Sequence, residues 1–495
     1  MNPAPSISRA LRARQLNNYI CNSCTQQIRR QRRSYVSTSS TLKSPEIYDV
    51  VCVGGGPAGL SLLAALRSSA ATSGLKVALI ESQDLSRTRT WDLPEGQFSN
   101  RCSSLTPASV KFLEGIGAWQ KLRKERVQEY EEMQVWDGVT GARIGFEWME
   151  PSNGTGEGKG RTIAYMNENA NLTRGLLERI DELGGVDIYD GQKVEGIELG
   201  EESEDLDLRS WPVVELADGR RMAARLLVGA DGQNSPVRTF AGIDSRGWDY
   251  NRHGVVATLL LDGQANRKTA YQRFLPTGPV AMLPMPGAFA TLVWSTTPAL
   301  AAKLKSLSPI DFMALVNAAF RLSTTDLAYM HTLEAGQVDE LIWREKHTPF
   351  DVQHVPARVI GVQEGSVASF PLKFRHADTY IGERVALVGD AAHTIHPLAG
   401  QGLNQGQGDV ESLVRNIVYS VTHGMDIGAQ MSLETYVADR YTKNHILLGV
   451  CDKFHKLYSV ESGPVVGLRS LGLRAVDAMT PVKQFFMRQA AGQGM

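Results

Sequence analysis

The chain has 495 residues, 42% of them apolar and 21% charged, which fits a globular enzyme of two or three structural units. No uninterrupted apolar run reaches about 18 residues, so no membrane-spanning helix is expected. The net charge of −1 hides a split. Residues 1–44 carry seven Arg, one Lys and no acid, and the remainder carries 44 basic against 53 acidic residues, a mildly acidic body without the signature of a nucleic-acid binder.

The first 44 residues are rich in Arg and Ser, the composition of a mitochondrial transit peptide. Leu11, Arg12, Arg14, Ile20 and Arg29 share one side of a loose amphipathic helix, and Arg33-Ser34-Tyr35 before Val36-Ser37 resembles a matrix-protease cleavage site. A disordered basic tail is the alternative. Cys21 and Cys24 form a CxxC with no second pair, so no metal site is expected. The mature chain keeps Cys52, Cys102 and Cys451, which suits a reducing compartment without a disulfide framework.

The body opens with a βαβ pattern. Tyr48–Val53 reads as a buried strand, Gly59–Ser69 as a Leu- and Ala-rich helix, and Lys76–Ile80 as a second strand ending at Glu81. Residues 106–124 read as helical, with Leu113, Ile116 and Trp119 on one face. The run GTGEGKG at 154–160 has no strand before it and reads as a flexible loop, not a phosphate cradle. A helix is expected over 169–183, from Leu172, Leu176 and Ile180, then strands near 186–198 and at 212–216 with a turn at Asp218-Gly219. From about 246 to 300 the pattern changes to alternating strands at Val255–Leu261, Tyr271–Leu275, Val280–Leu283 and Ala290–Ser295, expected to form an inserted antiparallel sheet. Residues 300–340 read as helices, and 341–368 resist assignment. A buried strand returns at Val385–Val388, a long helix follows over 402–420, and everything beyond 430 looks helical.

Three glycine-bearing segments follow strands. In Gly54-Gly55-Gly56-Pro57-Ala58-Gly59, Gly54 permits a tight turn, Gly56 lets backbone approach a pyrophosphate, and Gly59 lets the helix pack close to the strand. The helix N-terminus then faces phosphate with its dipole and free N–H groups, and Glu81 is placed to bind an adenosine ribose. An ordinary glycine turn is the alternative, and this segment alone does not separate NAD from FAD. The second segment is Gly229-Ala230-Asp231-Gly232, continuing through Ser235 to Arg238. The third begins Gly389-Asp390-Ala391-Ala392-His393 and runs through Pro397, Gly400, Gly402 and Leu403 to Asn404. A carboxylate at Asp390 suits ribityl hydroxyls, which NAD lacks, and backbone N–H groups around Gly400, Gly402, Leu403 and Asn404 suit the N1/O2 edge of a flavin. The alternative for Asp390 is a simple helix cap.

Taken in this order, the three segments resemble the class A flavoprotein aromatic hydroxylases, the para-hydroxybenzoate hydroxylase fold group. Ser99-Asn100-Arg101 with Ser104-Leu105-Thr106-Pro107, then Arg273-Phe274, Gly278-Pro279 and Leu283-Pro284, resemble the ubiquinone-biosynthesis branch of that family. Leu471-Gly472-Leu473, Pro481-Val482-Lys483 and Ala490-Ala491-Gly492 do so too. The resemblance implies an α/β fold: a Rossmann-type FAD-binding domain with an inserted antiparallel β-sheet substrate domain and a C-terminal helical region. The divisions expected are 1–44 transit peptide, 45–245 FAD domain, 246–368 substrate domain, 369–430 FAD domain again and 431–495 helical. By the same resemblance Arg101 contacts the FAD phosphates, Asn169 the flavin side, Asp231 braces the pyrophosphate region and Arg101, and Pro397 faces the substrate beside the flavin.

The implied chemistry is hydroxylation of a polyprenylated phenol, at ring carbon 5 in the mitochondrial branch, with O2 and a flavin C4a-hydroperoxide. Electrons would come from a ferredoxin and its reductase or from NAD(P)H, and proteins of a ubiquinone-biosynthesis complex are possible partners. Phe274, Leu283 and Pro284, together with Pro397, are expected to wall the ring pocket, with plain core packing as the alternative. No catalytic base is identified; His393 and His396 read as structural or solvent-facing. Residues 463–495 are net basic and apolar, which suits peripheral contact with the matrix side of the inner membrane. Three other readings compete with this one. A flavin halogenase would carry a W-x-W-x-I-P segment, and none is present. A monooxygenase for another phenol or an alkene would differ in substrate, and a non-catalytic FAD-binding scaffold by decay of the third segment.

Overall fold

The computed structural model describes residues 44–147, 162–202, 204, 206–263, 268–395, 400–479 and 483. The expected transit peptide, the GTGEGKG loop, His396, Pro397 and most residues beyond 479 lie outside that set. From Pro45 onward the chain forms one compact unit.

The first sheet has eight strands. Its centre runs Val385–Leu387, Arg221–Gly229, Glu46–Val53, Val77–Ile80 and Val186–Tyr189, all parallel. Val50–Val53 and Val77–Ile80 are buried throughout. Helices cover both faces of a parallel sheet, so its strands need unbroken apolar runs, and these residues supply them. The helix Pro57–Ser68 lies against both Asn169–Leu183 and Gly402–Thr422. Pro57 starts it at N1, where a missing N–H costs nothing.

The helix expected over 106–124 stops at Gly115. Gly117 has φ +76, which no helix continues through, and the rest makes 3₁₀ turns at Trp119–Lys121 and Lys124–Arg126. A three-stranded sheet of Cys102–Leu105, Ala164–Glu168 and Gln128–Tyr130 follows no signal seen in the sequence.

The second sheet has nine strands. It contains the four expected ones, lengthened to Ser245–Leu261, Thr269–Leu275, Gly278–Pro284 and Phe289–Thr296. It also draws in Glu132–Asp137, Arg143–Glu147 and Ala368–Ala377. One pairing departs from the antiparallel pattern: Thr269–Leu275 runs parallel to Glu132–Asp137. One face packs on the helices Pro298–Ser306, Pro309–Arg321, Thr324–Met330 and Gln337–His347. The stretch 341–368 finishes the last of these and adds Val359–Val362 antiparallel to Ser245–Leu261. Buried Asn317 fixes that strand, accepting from Val359 N–H and donating to its carbonyl, both at 2.9 Å.

The 29-residue helix Gln430–Tyr458, about 43 Å long, touches both sheets. Near its start Tyr436 donates to Leu387 O at 2.7 Å. Leu448 and Cys451 pack with Phe374 and Ile395, and Tyr458 stacks on Phe274 at 4.0 Å. The helix Pro464–Ala478 follows.

Candidate cofactor site and active site

The three glycine-bearing segments meet at the C-terminal ends of the parallel strands. Gly54 has φ +109, and a Cβ there would lie 2.3 Å from Ala230 O. A Cβ on Gly59 would lie 2.0 Å from Gly54 O. Both positions therefore demand glycine for packing alone. A Cβ on Gly56 would meet nothing within 4 Å, so its surface is open for a pyrophosphate to approach. Glu81 holds the turn from the side: Oε2 accepts from Gly55 N–H at 2.5 Å and Oε1 from Gln83 N–H at 2.8 Å.

The second segment is stitched to the other two. Ala230 N–H donates to Val53 O at 2.8 Å, and Val388 N–H donates to Gly229 O at 3.0 Å. Arg238 donates to Ala391 O at 2.7 Å and Gln233 O at 2.8 Å, a bridge between the second and third segments that the sequence did not single out. Asp231 does not brace Arg101 directly. Its Oδ2 accepts from Val237 N–H at 3.3 Å, at the start of the short helix Pro236–Phe240, and its Oδ1 is buried with no partner. Desolvation raises its pKa.

In the third segment Gly389–Ala391 forms one 3₁₀ turn after the strand. Asp390 is exposed to solvent, yet desolvation raises its pKa against the opposing charge of His393. Gly402 begins the following helix, so the N–H groups of Gly402, Leu403 and Asn404 have no intrahelical acceptor. The Asn404 side chain is committed elsewhere: Oδ1 accepts from Thr106 N–H and Ser109 Oγ, and Nδ2 donates to Ser104 O and Gly400 O. Only its backbone is left for a cofactor. Pro397 lies outside the described residues.

Asn169 and Arg101 are neighbours. Asn169 N–H donates to Arg101 O at 2.9 Å, its side chain accepts from Ser103 Oγ at 2.6 Å, and the Arg101 side chain is exposed. Behind them lies a buried ion pair that sequence reasoning missed. Arg126 Nε meets Glu168 Oε2 at 2.6 Å, and Glu168 Oε1 also accepts from Ser99 N–H at 2.6 Å. The pair fixes the backbone leading to Arg101. Its members are 42 residues apart, with no motif around either.

The expected ring-pocket wall divides. Phe274 and Leu283 share one face of the second sheet, while Pro284, one residue on, belongs to the other, because successive strand residues point to opposite sides. Phe274 is packed among Val135, Ile144 and Tyr458, and Leu283 lies against the cluster of Phe98, Met166 and Met285. Pro284 instead lines a small apolar recess with Leu261, Tyr271, Met282 and Phe289.

The donor set fits FAD. Open backbone at Gly56, carboxylates at Asp231 and Asp390 and a helix N-terminus at Gly402 are the kinds of group that a pyrophosphate, hydroxyls and an electron-rich ring edge would need.

Comparison with known proteins agrees. Residues 47–445 match the FAD binding domain family. The chain is 41% identical over 461 residues to the mitochondrial ubiquinone biosynthesis monooxygenase COQ6 of Schizosaccharomyces pombe, covering 90% of this chain and 92% of that one. It is 41% identical over 483 residues to the Saccharomyces cerevisiae protein of the same name, covering 93% and 98%. The Homo sapiens one is 34% identical over 452 residues, covering 90% and 92%. Among solved structures, p-nitrophenol 4-monooxygenase PnpA from Pseudomonas putida superposes with a TM-score of 0.64 at 18% identity, covering 91% of this chain and all of that one. Klebsiella pneumoniae HpxO complexed with FAD gives 0.59 at 17% identity, covering 90% and 99%. These last two share the fold.

Proposed function

Because the chain belongs to the FAD-binding flavoprotein family of the ubiquinone biosynthesis monooxygenases, we propose that it hydroxylates ring carbon 5 of a polyprenylated ubiquinone precursor, with O2 as co-substrate. It is an FAD-dependent monooxygenase. The observation that carries the reading is the joining of three distant segments into one cleft by the Ala230–Val53, Val388–Gly229 and Arg238–Ala391 hydrogen bonds.

Bound FAD supplies the reducible ring at which O2 is activated. The chain's own residues bind and orient it. Gly56 and the first turn of Pro57–Ser68 take the pyrophosphate, with Arg101 from the side. Glu81 takes the adenosine ribose and Asp390 the ribityl hydroxyls. The first-turn N–H groups of Gly402, Leu403 and Asn404 meet the ring edge where charge accumulates on reduction. The chemistry requires a site that excludes water, and the helix Gln430–Tyr458, packed on both sheets, adds to the protein around it.

We read the electron donor as a ferredoxin with its reductase, and the location as the matrix side of the mitochondrial inner membrane. Relatives are named mitochondrial. No described helix is long and apolar enough to cross a membrane. Val465, Leu468, Leu471 and Met479 are exposed on the helix Pro464–Ala478 and just beyond it, and Ile446, Val450 and Phe454 are exposed at every fourth residue of the helix before it. Lys453, Lys456 and Arg474 lie among them, also exposed. Basic and apolar side chains on helices suit an anionic lipid face, where a polyprenyl tail resides.

The test supplies FAD-loaded protein with a polyprenyl phenol, isotopically heavy O2 and either reduced ferredoxin or NAD(P)H. One heavy oxygen in a ring-hydroxylated product supports the reading, and turnover with NAD(P)H alone overturns the choice of donor. Flavin oxidation with no product under either donor overturns the proposed reaction.

A further inference from the structure

Asp409 is fully buried in the helix Gly402–Thr422, and every strong contact it makes concerns one turn or what braces that turn. Its Oδ2 accepts from Gly389 N–H at 3.2 Å and from His393 Nε2 at 2.6 Å. Those two residues are the ends of the segment Gly389–His393, and Asp390 lies between them. Its Oδ1 accepts from Arg440 Nε at 3.0 Å and Asn444 Nδ2 at 2.8 Å, both on Gln430–Tyr458. The turn is also confined from the opposite side, since a Cβ on Gly389 would lie 3.3 Å from Ala58 Cβ in the first segment. The His393 ring is buried and its Nδ1 has no partner, so the bond to Asp409 is what orients it. Burial works to push the Asp409 carboxyl up, but His393 and Arg440 outweigh it and hold the pKa at about 2, so the carboxylate stays ionised.

We infer that Asp409 is a positioning residue for the cofactor: by gripping Gly389 and His393 it sets the place and tilt of Asp390 in the cleft, and Arg440 and Asn444 hold Asp409 in turn. This rests on the reading that Asp390 binds the ribityl hydroxyls of FAD. An unsupported turn would let the Asp390 carboxylate swing toward open solvent, where it is already exposed. A plain helix-to-helix brace is the competing role, and it makes a different prediction. A brace needs Arg440 and Asn444 but has no use for two bonds to the third segment.

The experiment is a double-mutant cycle on FAD affinity, read by quenching of FAD fluorescence on titration into FAD-free protein. The variants are Asp390→Asn, His393→Leu, His393→Gln and the Asp390→Asn/His393→Leu pair, each with its FAD-free melting temperature. Asp390→Asn is expected to raise Kd about tenfold or more, the scale of a lost charged hydrogen bond. His393→Leu cuts one of the two grips and is expected to raise Kd about as much. His393→Gln keeps an N–H donor for Asp409 and is expected to restore most of the affinity. The double variant is expected to bind no worse than Asp390→Asn alone, because the positioning acts only through Asp390. Independent, multiplying losses in the double variant overturn the inference, as does unchanged Kd in His393→Leu. If Asp390→Asn itself leaves Kd unchanged, the reading of Asp390 falls first and takes the inference with it, which separates the two failures.

Discussion

Arg469 donates two hydrogen bonds to Asp137, at 3.0 and 3.1 Å, across 332 residues of sequence and out of reach of water. Its remaining nitrogen donates to Leu457 O and Val460 O. One side chain thus pins the last described helix, and the bend before it, to the edge of the second sheet. Breaking a buried pair leaves one charge uncompensated. Arg469→Met should cost on the order of 3–5 kcal/mol. Arg469→Met combined with Asp137→Asn should recover a good part of that. Urea denaturation of the three proteins checks the order.

The same pin keeps an apolar face turned outward. Leu468 and Leu471 are 67% and 66% exposed. Replacing both by Glu should abolish flotation with cardiolipin-containing vesicles while leaving FAD content and melting temperature unchanged. Undiminished flotation would remove this helix from the membrane contact.

Two glycines of the first segment should fail in different ways. Gly59→Ala places a methyl group 2.0 Å from Gly54 O, a backbone atom with nowhere to move, so little folded protein is expected. Gly56→Ala meets nothing within 4 Å in the protein itself. Its FAD-free melting temperature should stay near that of the parent while FAD affinity drops sharply. Thermal melts with and without added FAD separate the two cases.

Asp390 should trade stability for binding. Its pKa is raised in the folded chain, chiefly by desolvation. A carboxyl with a raised folded pKa stabilises the fold when protonated, and that contribution is lost as pH rises through the folded value. At neutral pH the ionised group is therefore a burden on the FAD-free protein. Asp390→Asn should raise the FAD-free melting temperature at neutral pH and show little gain in acid, where the parent is protonated too. An equal gain at every pH would argue against this origin.

His331 makes the opposite linkage. Burial, with help from Lys303, lowers its pKa to about 4, and both ring nitrogens are buried without partners. A base with a depressed folded pKa contributes stability above its ordinary value of 6.5, lost as pH falls toward 4. The shift corresponds to about 3–4 kcal/mol at roughly 1.4 kcal/mol per unit. His331→Phe should flatten the fall in melting temperature across that window.

The first sheet was legible because its strands are buried on both faces, and a run such as Val50–Val53 has few other readings. Asn169–Leu183 and Pro212–Leu216 were equally plain, each bounded by glycine or a turn. The glycines of the cofactor cleft were legible for a local reason: a tight turn constrains residues adjacent in sequence. What holds that cleft was not. Asp409 with His393, Arg126 with Glu168 and Arg238 with Ala391 are contacts that no local pattern pairs, even where one partner lies in a glycine-bearing segment. Three strands of the small sheet were missed because Cys102–Leu105 is short and half polar. The expected pocket wall divides on parity, since Leu283 shares a face with Phe274 and the adjacent Pro284 takes the other.

The order of strands in the first sheet sets a clock on assembly. Glu46–Val53, among the earliest residues of the body, lies beside Arg221–Gly229, and that strand in turn waits for Val385–Leu387. A chain released only as far as its first half holds the first two glycine-bearing segments, with the third, beyond Leu387, still to come. Non-local parallel pairings of this kind form late and slowly. A cleft built from all three segments therefore needs the chain from Glu46 to beyond Leu387 before it is whole.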